Sequence, residues 1–324
     1  MAIELYSGGR GPLRMMSGLP GHYDGATLPG SDARHYRGDI GQIVLQEISH
    51  LQNVIRYAVF RIADQVKLKF IRRESGLQTT AILKDHCRTT FDGAGRFKIN
   101  EGYFSTIFSN PWSGTLQCGH DAELIAFDTT WDAAMLHEFI PAESKWWDKF
   151  KNGVPAFPLL IGNPYRKITP SLNRLIDQLK YSSYDPSLRK SSLDHLVKDY
   201  LAEILREIDN PDWLKDEIPR DELDRIEAVK QLIAADPLKH VHSAELARMV
   251  YMNEFKFKTM FMKVTGMGTF DYMMYQRCCA VRDKILHSDL PVKSFVQEAG
   301  YSDLANFVTG FKRYMGCTPA DIRK

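Results

Sequence analysis

The sequence predicts a two-domain α+β protein. An N-terminal antiparallel β-barrel or jelly roll with added helices precedes a C-terminal domain that is entirely helical. The chain has 324 residues, which is enough for two domains. Short segments between residues 41 and 130 alternate between apolar and polar residues, as strands do. Apolar residues in about the last hundred positions instead recur at helical spacing, in a unit that occurs twice.

The N-terminal region divides into an arm and a strand-rich segment. Residues 1–40 are rich in Gly, Pro and small polar residues and show no period, so we expect a flexible or loosely packed arm. The alternating segments that follow are centred on residues 43–48, 55–61, 66–70, 79–83, 97–99, 104–108 and 124–128. Turn residues such as Gly76, Asp92–Gly95 and Asn110–Pro111 separate them, as is typical of an antiparallel sandwich or barrel.

Two helical stretches come next, at residues 130–150 and from Pro170 to about Ile208. The second carries continuous apolar stripes, which fit either an intramolecular helix pair or a helical dimer contact. Turn residues, including Pro211 and Pro219, then interrupt the pattern. We therefore expect one domain over residues 41–208, a linker over 209–219 and a second domain over 220–324.

The C-terminal end predicts two short helices joined by a tight turn. An apolar stretch from Val292 to Ala299 stops at Gly300, which accepts a left-handed conformation without steric cost. Ser302 or Asp303 is suited to cap the next helix, whose apolar stripe includes Phe307 and Phe311. Two short helices joined in this way form a helix-turn-helix, the geometry of many DNA-reading proteins.

The helix-turn-helix unit is duplicated. A shift of fifty positions lays Asn253–Gly266 onto Asp303–Gly316, and it matches Phe257 with Phe307, Thr259 with Thr309, Phe261 with Phe311 and Gly266 with Gly316. We place the two units at about residues 244–265 and 292–315, with one long helix between them. If that helix is rigid, it sets two recognition helices about one DNA turn, roughly 34 Å, apart.

The motifs of this region resemble those of the AraC/XylS family of bacterial transcription regulators. The resemblance covers about Leu223 to Lys324 and rests on Leu290-Pro291-Val292, Gly300-Tyr301-Ser302-Asp303, Phe307, Phe311-Lys312-Arg313, Gly316 and Thr318-Pro319. Arg277 also falls where the connecting helix of the family has an Arg. The chain departs from the family pattern at Tyr251, where a turn Gly is usual, at Val296 and at Gly310.

The resemblance assigns DNA-contacting roles by position. The base-reading side chains it implies are Phe255, Lys256, Lys258 and Thr259 in the first unit and Leu304, Ala305, Asn306 and Thr309 in the second. The second set is poor in polar groups, so we expect the first unit to read more of the sequence and the second mainly to anchor the protein. The cations best placed for phosphate are Lys263, Lys312 and Arg313.

Charge and composition agree with this interpretation. From Pro237 onward, 13 Lys and Arg stand against eight Asp and Glu, an excess of five positive charges that suits a phosphate-facing surface. The sequence contains no membrane span and no secretory signal, and its five scattered cysteines favour a reducing interior, so we expect the cytoplasm.

An enzyme is the rival class of function. His86, His120 and His137 lie far apart without metal-ligand spacing, and no phosphate-binding loop, nucleophile elbow or triad signature is present. We therefore expect no catalytic residue, no metal site, no cofactor and no enzymatic activity. A metal-dependent enzyme fused to a DNA-binding module is kept as a remote alternative.

The N-terminal barrel resembles the cupin-like effector and dimerisation half of many regulators in this family. A regulator of this kind binds double-stranded DNA, is controlled by a small-molecule effector, and acts as a homodimer that can contact RNA polymerase. The aromatic residues that could line an effector pocket are Tyr103, Phe104, Phe108, Trp112 and Phe127, although aromatics at alternating positions also fit an ordinary core. A constitutive DNA binder whose barrel only dimerises is the alternative.

Overall fold

A computed structural model describes residues 3–7, 11–50, 53–133, 136, 140, 158–161, 166–181, 189–210 and 218–323. The chain separates into two compact units. The first consists of Met1–Thr89 with Lys98–Asn210, and the second of Thr90–Phe97 with Pro211–Lys324. The second unit therefore includes a short segment from the N-terminal half. Within the described residues, no helix has both the length and the apolar character needed to cross a membrane.

The first unit is built mainly from two antiparallel sheets. The strands of the N-terminal half are β1 Ile3–Ser7, β2 Gly11–Pro12, β3 Met16–Ser17, β4 Asp32–Gly38, β5 Gly41–His50, β6 Asn53–Ile62, β7 Val66–Arg72, β8 Gly76–Lys84, β9 His86–Phe91, β10 Gly95–Asn100, β11 Tyr103–Ser109, β12 Trp112–Cys118, β13 Ala122–Trp131, β14 Leu159–Leu160 and β15 Arg166–Lys167. One sheet has the order β10-β9-β12-β7-β1-β2. The other has the order β14-β11-β8-β13-β6-β5-β4-β3, with β15 beside β11.

Alternation along the strands separates two hydrophobic clusters. In β6, Ile55, Tyr57 and Val59 belong to a cluster shared with the helices α1 Pro170–Tyr181 and α2 Arg189–Asp209. The intervening Ala58 and Phe60 belong to a second cluster, which also contains residues from the six-stranded sheet. Because successive side chains of a strand point to opposite faces, the nine-stranded sheet is covered on both sides.

Buried ion pairs lie between the strands of this unit. Arg56 Nη2 is 2.8 Å from both Glu47 Oε2 and Glu74 Oε1, and Arg56 is 1% exposed. Arg72 of the six-stranded sheet pairs with Asp128 of the nine-stranded sheet at 2.8 Å. Removing one partner of such a pair leaves an uncompensated buried charge, so these contacts constrain how the strands pack.

The α+β class and the antiparallel sheets agree with the sequence prediction, and two details differ from it. Of the predicted alternatives, the two open sheets correspond to the sandwich or jelly roll and not to a closed barrel. Strands β9 and β12 had not been predicted. Residues 1–40, expected to be a loosely packed arm, contain β1 to β4, and Leu5 and Leu28 are buried. Strands β2 and β3 have two residues each, too few for a detectable period, and β1 is held by pairing with β7, which is remote in the chain.

The helical part of the first unit is described from Pro170 onward. Helices α1 and α2 pack against each other and against the sheet, which satisfies their apolar stripes within one chain. The helix predicted over residues 130–150 lies almost entirely outside the described residues. The predicted linker over residues 209–219 is also largely outside them.

The second unit is helical apart from its short N-terminal segment. Its elements are the helices α3 Arg220–Ala235, α4 Ser243–Met249, α5 Glu254–Thr265, α6 Thr269–Leu286 and α7 Leu304–Met315, with 3₁₀-helices at Val292–Phe295 and Asp321–Arg323. Residues of α3, α4, α5 and α6 share one hydrophobic cluster. The predicted helix over Val292–Ala299 is instead a 3₁₀-helix followed by turns. The amides of Ser294 and Val296 donate to the carbonyls three residues earlier, those of Pro291 and Lys293, so the segment begins with 3₁₀ rather than α-helical hydrogen bonds.

Candidate nucleic-acid interface

The turn of the first helix-turn-helix unit follows α4. The Tyr251 amide donates to the Arg248 carbonyl at 3.1 Å, and the Met252 amide donates to the Ala247 carbonyl at 2.9 Å. This pattern closes a helix whose last turn ends in a left-handed residue. Tyr251 occupies that position with φ of 55°. The unusual residue at this position therefore does not change the turn, because Tyr251 accepts the conformation that a Gly would take.

The second unit repeats the same turn. The Gly300 amide donates to the Gln297 carbonyl at 2.9 Å, and the Tyr301 amide donates to the Val296 carbonyl at 3.1 Å. Gly300 has φ of 81°, and a Cβ added to it would lie 2.2 Å from Arg277 Nη1. The glycine is therefore required both by the backbone conformation and by the approach of the Arg277 side chain.

Arg277 joins the connecting helix α6 to the segment that precedes α4. Its side chain is 7% exposed, and its guanidinium donates to the carbonyls of Pro237 and Leu238 at 3.3 and 2.8 Å. These hydrogen bonds to carbonyl oxygens keep a buried cation solvated by protein atoms. The Arg that the family resemblance singled out thus has a structural role in positioning both units.

Both reading helices, α5 and α7, begin with the same cap. Asn253 Oδ1 accepts a hydrogen bond from the Lys256 amide at 2.8 Å, and Asp303 Oδ1 accepts one from the Asn306 amide at 2.8 Å. Of the two residues suited to cap the second helix, Asp303 rather than Ser302 is the N-cap. The backbone hydrogen bond from Asn306 is the main cause that lowers the pKa of the Asp303 carboxyl.

The two reading helices also end alike and pack alike. Each has 12 residues and ends at a left-handed glycine, Gly266 or Gly316. Each buries a pair of aromatic rings whose centroids are 5.5 Å apart in α5 and 5.6 Å apart in α7, namely Phe257 with Phe261 and Phe307 with Phe311. All four rings are completely buried, so the opposite face of each helix is the face presented to solvent.

The base-reading candidates of the first unit lie on that exposed face of α5. Phe255 is 84% exposed. Lys256 Nζ lies 2.5 Å from Glu222 Oε1 of α3, and Lys258 Nζ lies 2.6 Å from Glu254 Oε1. The Thr259 hydroxyl donates to the Phe255 carbonyl at 2.9 Å. The polar groups suited to read bases are therefore engaged by protein atoms in the free chain.

The candidates of the second unit are exposed on α7 and are less polar. Leu304 is 43% exposed, and Ala305 and Thr309 are exposed beside it. The Asn306 side-chain amide donates to Asp303 Oδ2 at 2.5 Å. This face offers apolar contacts and few free hydrogen-bonding groups.

The phosphate candidates lie in the last turns of the reading helices. Lys263, Lys312 and Arg313 are all exposed. Arg313 Nη2 is 4.0 Å from Asp271 Oδ1, the longest separation of any ion pair between described residues. Neither Lys263 nor Lys312 has an ion-pair partner within the part of the chain that the structure describes. Their charges are thus available to a polyanion.

The five aromatic residues predicted to line an effector pocket do not lie together. Phe104, Phe108 and Phe127 are at most 1% exposed and belong to the cluster shared with α1 and α2. Trp112 Nε1 donates to Gln78 Oε1 at 3.0 Å, and Tyr103 packs against the other hydrophobic cluster. The pocket remains a prediction.

Two of the histidines considered as metal ligands are described. His86 Nδ1 lies 2.8 Å from Asp85 Oδ1, and His120 Nδ1 lies 2.8 Å from Asp121 Oδ2. The described residues contain no group of three His, Cys, Asp or Glu side chains arranged to hold a metal ion. His137 lies outside them.

Sequence reasoning missed Glu222. It lies 34 positions before Lys256 and shares no local pattern with it, so only the packing of α3 against α5 reveals the pair. Tyr251 was noticed as a departure from the family pattern, but its exposure and conformation could not be read from the sequence.

The C-terminal part of the chain is similar to known helix-turn-helix proteins. Residues 246–324 match a family model described as a helix-turn-helix domain. The chain is 23% identical over 177 residues to YtdP, an uncharacterised HTH-type transcriptional regulator of Bacillus subtilis, and the match covers 50% of this chain and 23% of YtdP. The chain thus spans about a quarter of the length of this curated relative.

Two solved structures are also similar. ToxT from Vibrio cholerae is 12% identical with a TM-score of 0.32, and the match covers 82% of this chain and 97% of that one. The C-terminal domain of AraT, a response regulator from Geobacillus stearothermophilus, is 19% identical with a TM-score of 0.28, and the match covers 31% of this chain and 83% of that one.

Proposed function

We propose that this chain, whose C-terminal domain is a helix-turn-helix domain of the AraC type, is a sequence-specific DNA-binding transcription regulator. The observation that carries the proposal is the duplication of the reading helix. Both copies have the same cap, the same length and the same buried aromatic pair, and both expose the opposite face. The major groove of a duplex returns to the same side after each helical turn, and two equivalent helices held on one connecting helix match that repeat.

The connecting helix supports the same proposal. Helix α6 has 18 residues and connects the two helix-turn-helix units. Arg277 ties α6 to the carbonyls before α4, and its position beside Gly300 links it to the turn of the second unit. One buried side chain, Arg277, therefore links the connecting helix to both helix-turn-helix units.

The two reading helices, α5 and α7, differ in the side chains that they present to DNA. The first presents two ammonium groups, Lys256 and Lys258, each shared with a carboxylate of the protein. The second presents Leu304 and Ala305, which suit contact with thymine methyl groups. We assign most of the hydrogen-bonded reading of sequence to the first unit and most of the anchoring to the second, with Lys263, Lys312 and Arg313 on phosphates.

The proposal is tested by binding assays on duplexes that the full chain selects from a random pool. Lys256→Ala is expected to reduce discrimination between selected and unselected duplexes by about 1–3 kcal/mol. Lys312→Ala should weaken both duplexes equally and lower the salt slope by about one. A uniform loss for Lys256→Ala would make that residue a phosphate contact. Failure of the wild-type chain to bind any duplex would refute the proposed function.

We also propose that a small molecule bound by the strand-rich N-terminal domain controls this DNA binding. Homodimerisation and contact with RNA polymerase are further parts of the proposed regulatory role. The support is the resemblance of the strand-rich half to the effector half of such regulators. A metabolite screen that follows the melting temperature of the full chain tests this step, because a ligand bound only by the folded state raises that temperature. If no metabolite stabilises the protein and its oligomeric state alone governs DNA affinity, the constitutive alternative is correct.

A further inference from the structure

Tyr251 combines an unfavourable backbone with an almost fully exposed ring. Its φ of 55° lies in the left-handed region, where a bulky side chain is a conformational outlier. Tyr251 is 90% exposed, the largest fraction among the exposed large hydrophobic residues that the structure describes. Since the ring packs against almost nothing, contacts within the free chain do not offset the cost of this conformation.

The same position in the second unit is Gly300, which adopts the left-handed conformation at no steric cost. There the absence of a side chain is required, because Arg277 occupies the space. At Tyr251 no such neighbour excludes a side chain, yet a glycine would relieve the backbone. Backbone outliers of this kind concentrate at functional sites. The exposed ring and hydroxyl of Tyr251 are therefore suited to contact a molecule other than this chain.

The location of Tyr251 indicates which partner that is. It lies two residues before Asn253, the N-cap of α5, and thus at the end of the reading helix that docks against DNA in this motif. The exposed cation Arg248 lies one turn earlier, and the exposed ring of Phe255 lies one turn later. The Tyr251 hydroxyl has no hydrogen-bond partner among the described residues. A phenolic hydroxyl is one of the side-chain donors that bind phosphate oxygens of duplex DNA.

Resting on the proposed DNA-binding function, we propose that Tyr251 is a DNA-contacting residue whose hydroxyl donates a hydrogen bond to a backbone phosphate at the rim of the groove occupied by α5. The contact is neutral and independent of base sequence. It therefore adds affinity and fixes the position of the first reader, and it adds nothing to discrimination or to the dependence of binding on salt.

The test compares the wild-type chain with Tyr251→Gly and Tyr251→Phe on two labelled duplexes, one selected by the protein from a random pool and one of unrelated sequence. Tyr251→Gly gives the first turn the residue of the second and should raise the melting temperature while weakening both duplexes about three- to tenfold. Tyr251→Phe keeps the ring and the backbone, so it should leave the melting temperature unchanged and weaken both duplexes by a similar factor. The salt slope should equal that of the wild type in both variants, whereas Lys312→Ala lowers it.

Each other outcome overturns the inference in a distinct way. Wild-type affinity in Tyr251→Gly would show that the side chain does not contact DNA. Full affinity in Tyr251→Phe would exclude the hydroxyl as the contacting group. A loss confined to the selected duplex would make Tyr251 a base-reading residue. If the wild-type chain selects no duplex from the random pool, the DNA-binding function itself fails, and the inference falls with it.

Discussion

Replacing Glu222 with Gln should tighten DNA binding. The Glu222 carboxylate lies 2.5 Å from the ammonium group of Lys256, a residue we place on the DNA-reading face. Lys256 is 44% exposed, whereas Glu222 is only 14% exposed. DNA must therefore draw Lys256 away from a half-enclosed carboxylate, and that carboxylate remains close to the approaching phosphates. Gln is similar in size to Glu and removes only the charge.

The magnitude follows from the exposure of the pair. A solvent-exposed ion pair contributes about 0.2–1 kcal/mol, so releasing Lys256 should improve the dissociation constant by up to about fivefold. Because we assign Lys256 to base edges, the logarithmic salt dependence should change by less than the value of about 0.9 that one phosphate contact contributes, whereas the repulsion between Glu222 and the phosphates is screened by salt. The improvement should therefore be largest at low salt and shrink as salt is raised.

Fluorescence anisotropy of a labelled duplex, titrated at four or more salt concentrations, measures both quantities. Glu227→Gln is the matched control, because it removes the same charge from the same helix, where Glu227 pairs with Lys230 instead. An equal gain in both variants would show that net charge alone is responsible. Weaker binding by Glu222→Gln would refute the reasoning, since it would mean that the carboxylate holds Lys256 in its DNA-binding position.

Two further predictions concern Gly300 and Cys278 of the helical C-terminal domain. Gly300→Ala should destabilise the protein by more than about 2 kcal/mol, since the left-handed backbone alone costs about 1–2 kcal/mol and the new methyl group would displace Arg277. Gly102→Ala, at φ of 78° with open space around it, is the control in thermal unfolding, and an equal loss in both variants would exclude the role of Arg277. Burial raises the pKa of the Cys278 thiol to about 12, so the folded state favours the protonated thiol. The stability that Cys278 contributes should be constant below a pH of about 8.5 and fall by about 1.4 kcal/mol per pH unit above it, and Cys278→Ala should flatten the urea-unfolding stability profile. An unchanged slope would contradict the burial argument.

The duplicated reader was predictable because its signals are local. Helical spacing of Phe257 and Phe261, a capping residue at Asn253 and a terminal Gly266 lie within one short stretch, and the second copy repeats them. The buried face and the caps of such a helix follow from its own residues. The exposure of the opposite face follows from the same pattern.

Other features needed the assembled structure. The two-residue strands β2 and β3 have no detectable period, and they exist through backbone pairing with β1 and β4. The segment after Pro291 has apolar residues at helical spacing and still forms only a 3₁₀-helix with turns. Tyr103 and Phe104 are neighbours on β11 and pack against different hydrophobic clusters, because neighbouring strand positions face opposite sides of a sheet.

The two equivalent DNA-reading helices can be predicted from the amino acids alone, because helix period, capping and the terminal glycine involve residues that are close in the chain. The tertiary packing sets what those helices present to solvent. It paired Lys256 with Glu222 across 34 positions, placed Arg277 against Gly300, and left the Tyr251 ring in solvent on a left-handed backbone. The first two are contacts between residues that are remote in the chain, which no local pattern of amino acids encodes, and the exposure of Tyr251 depends on which segments pack nearby.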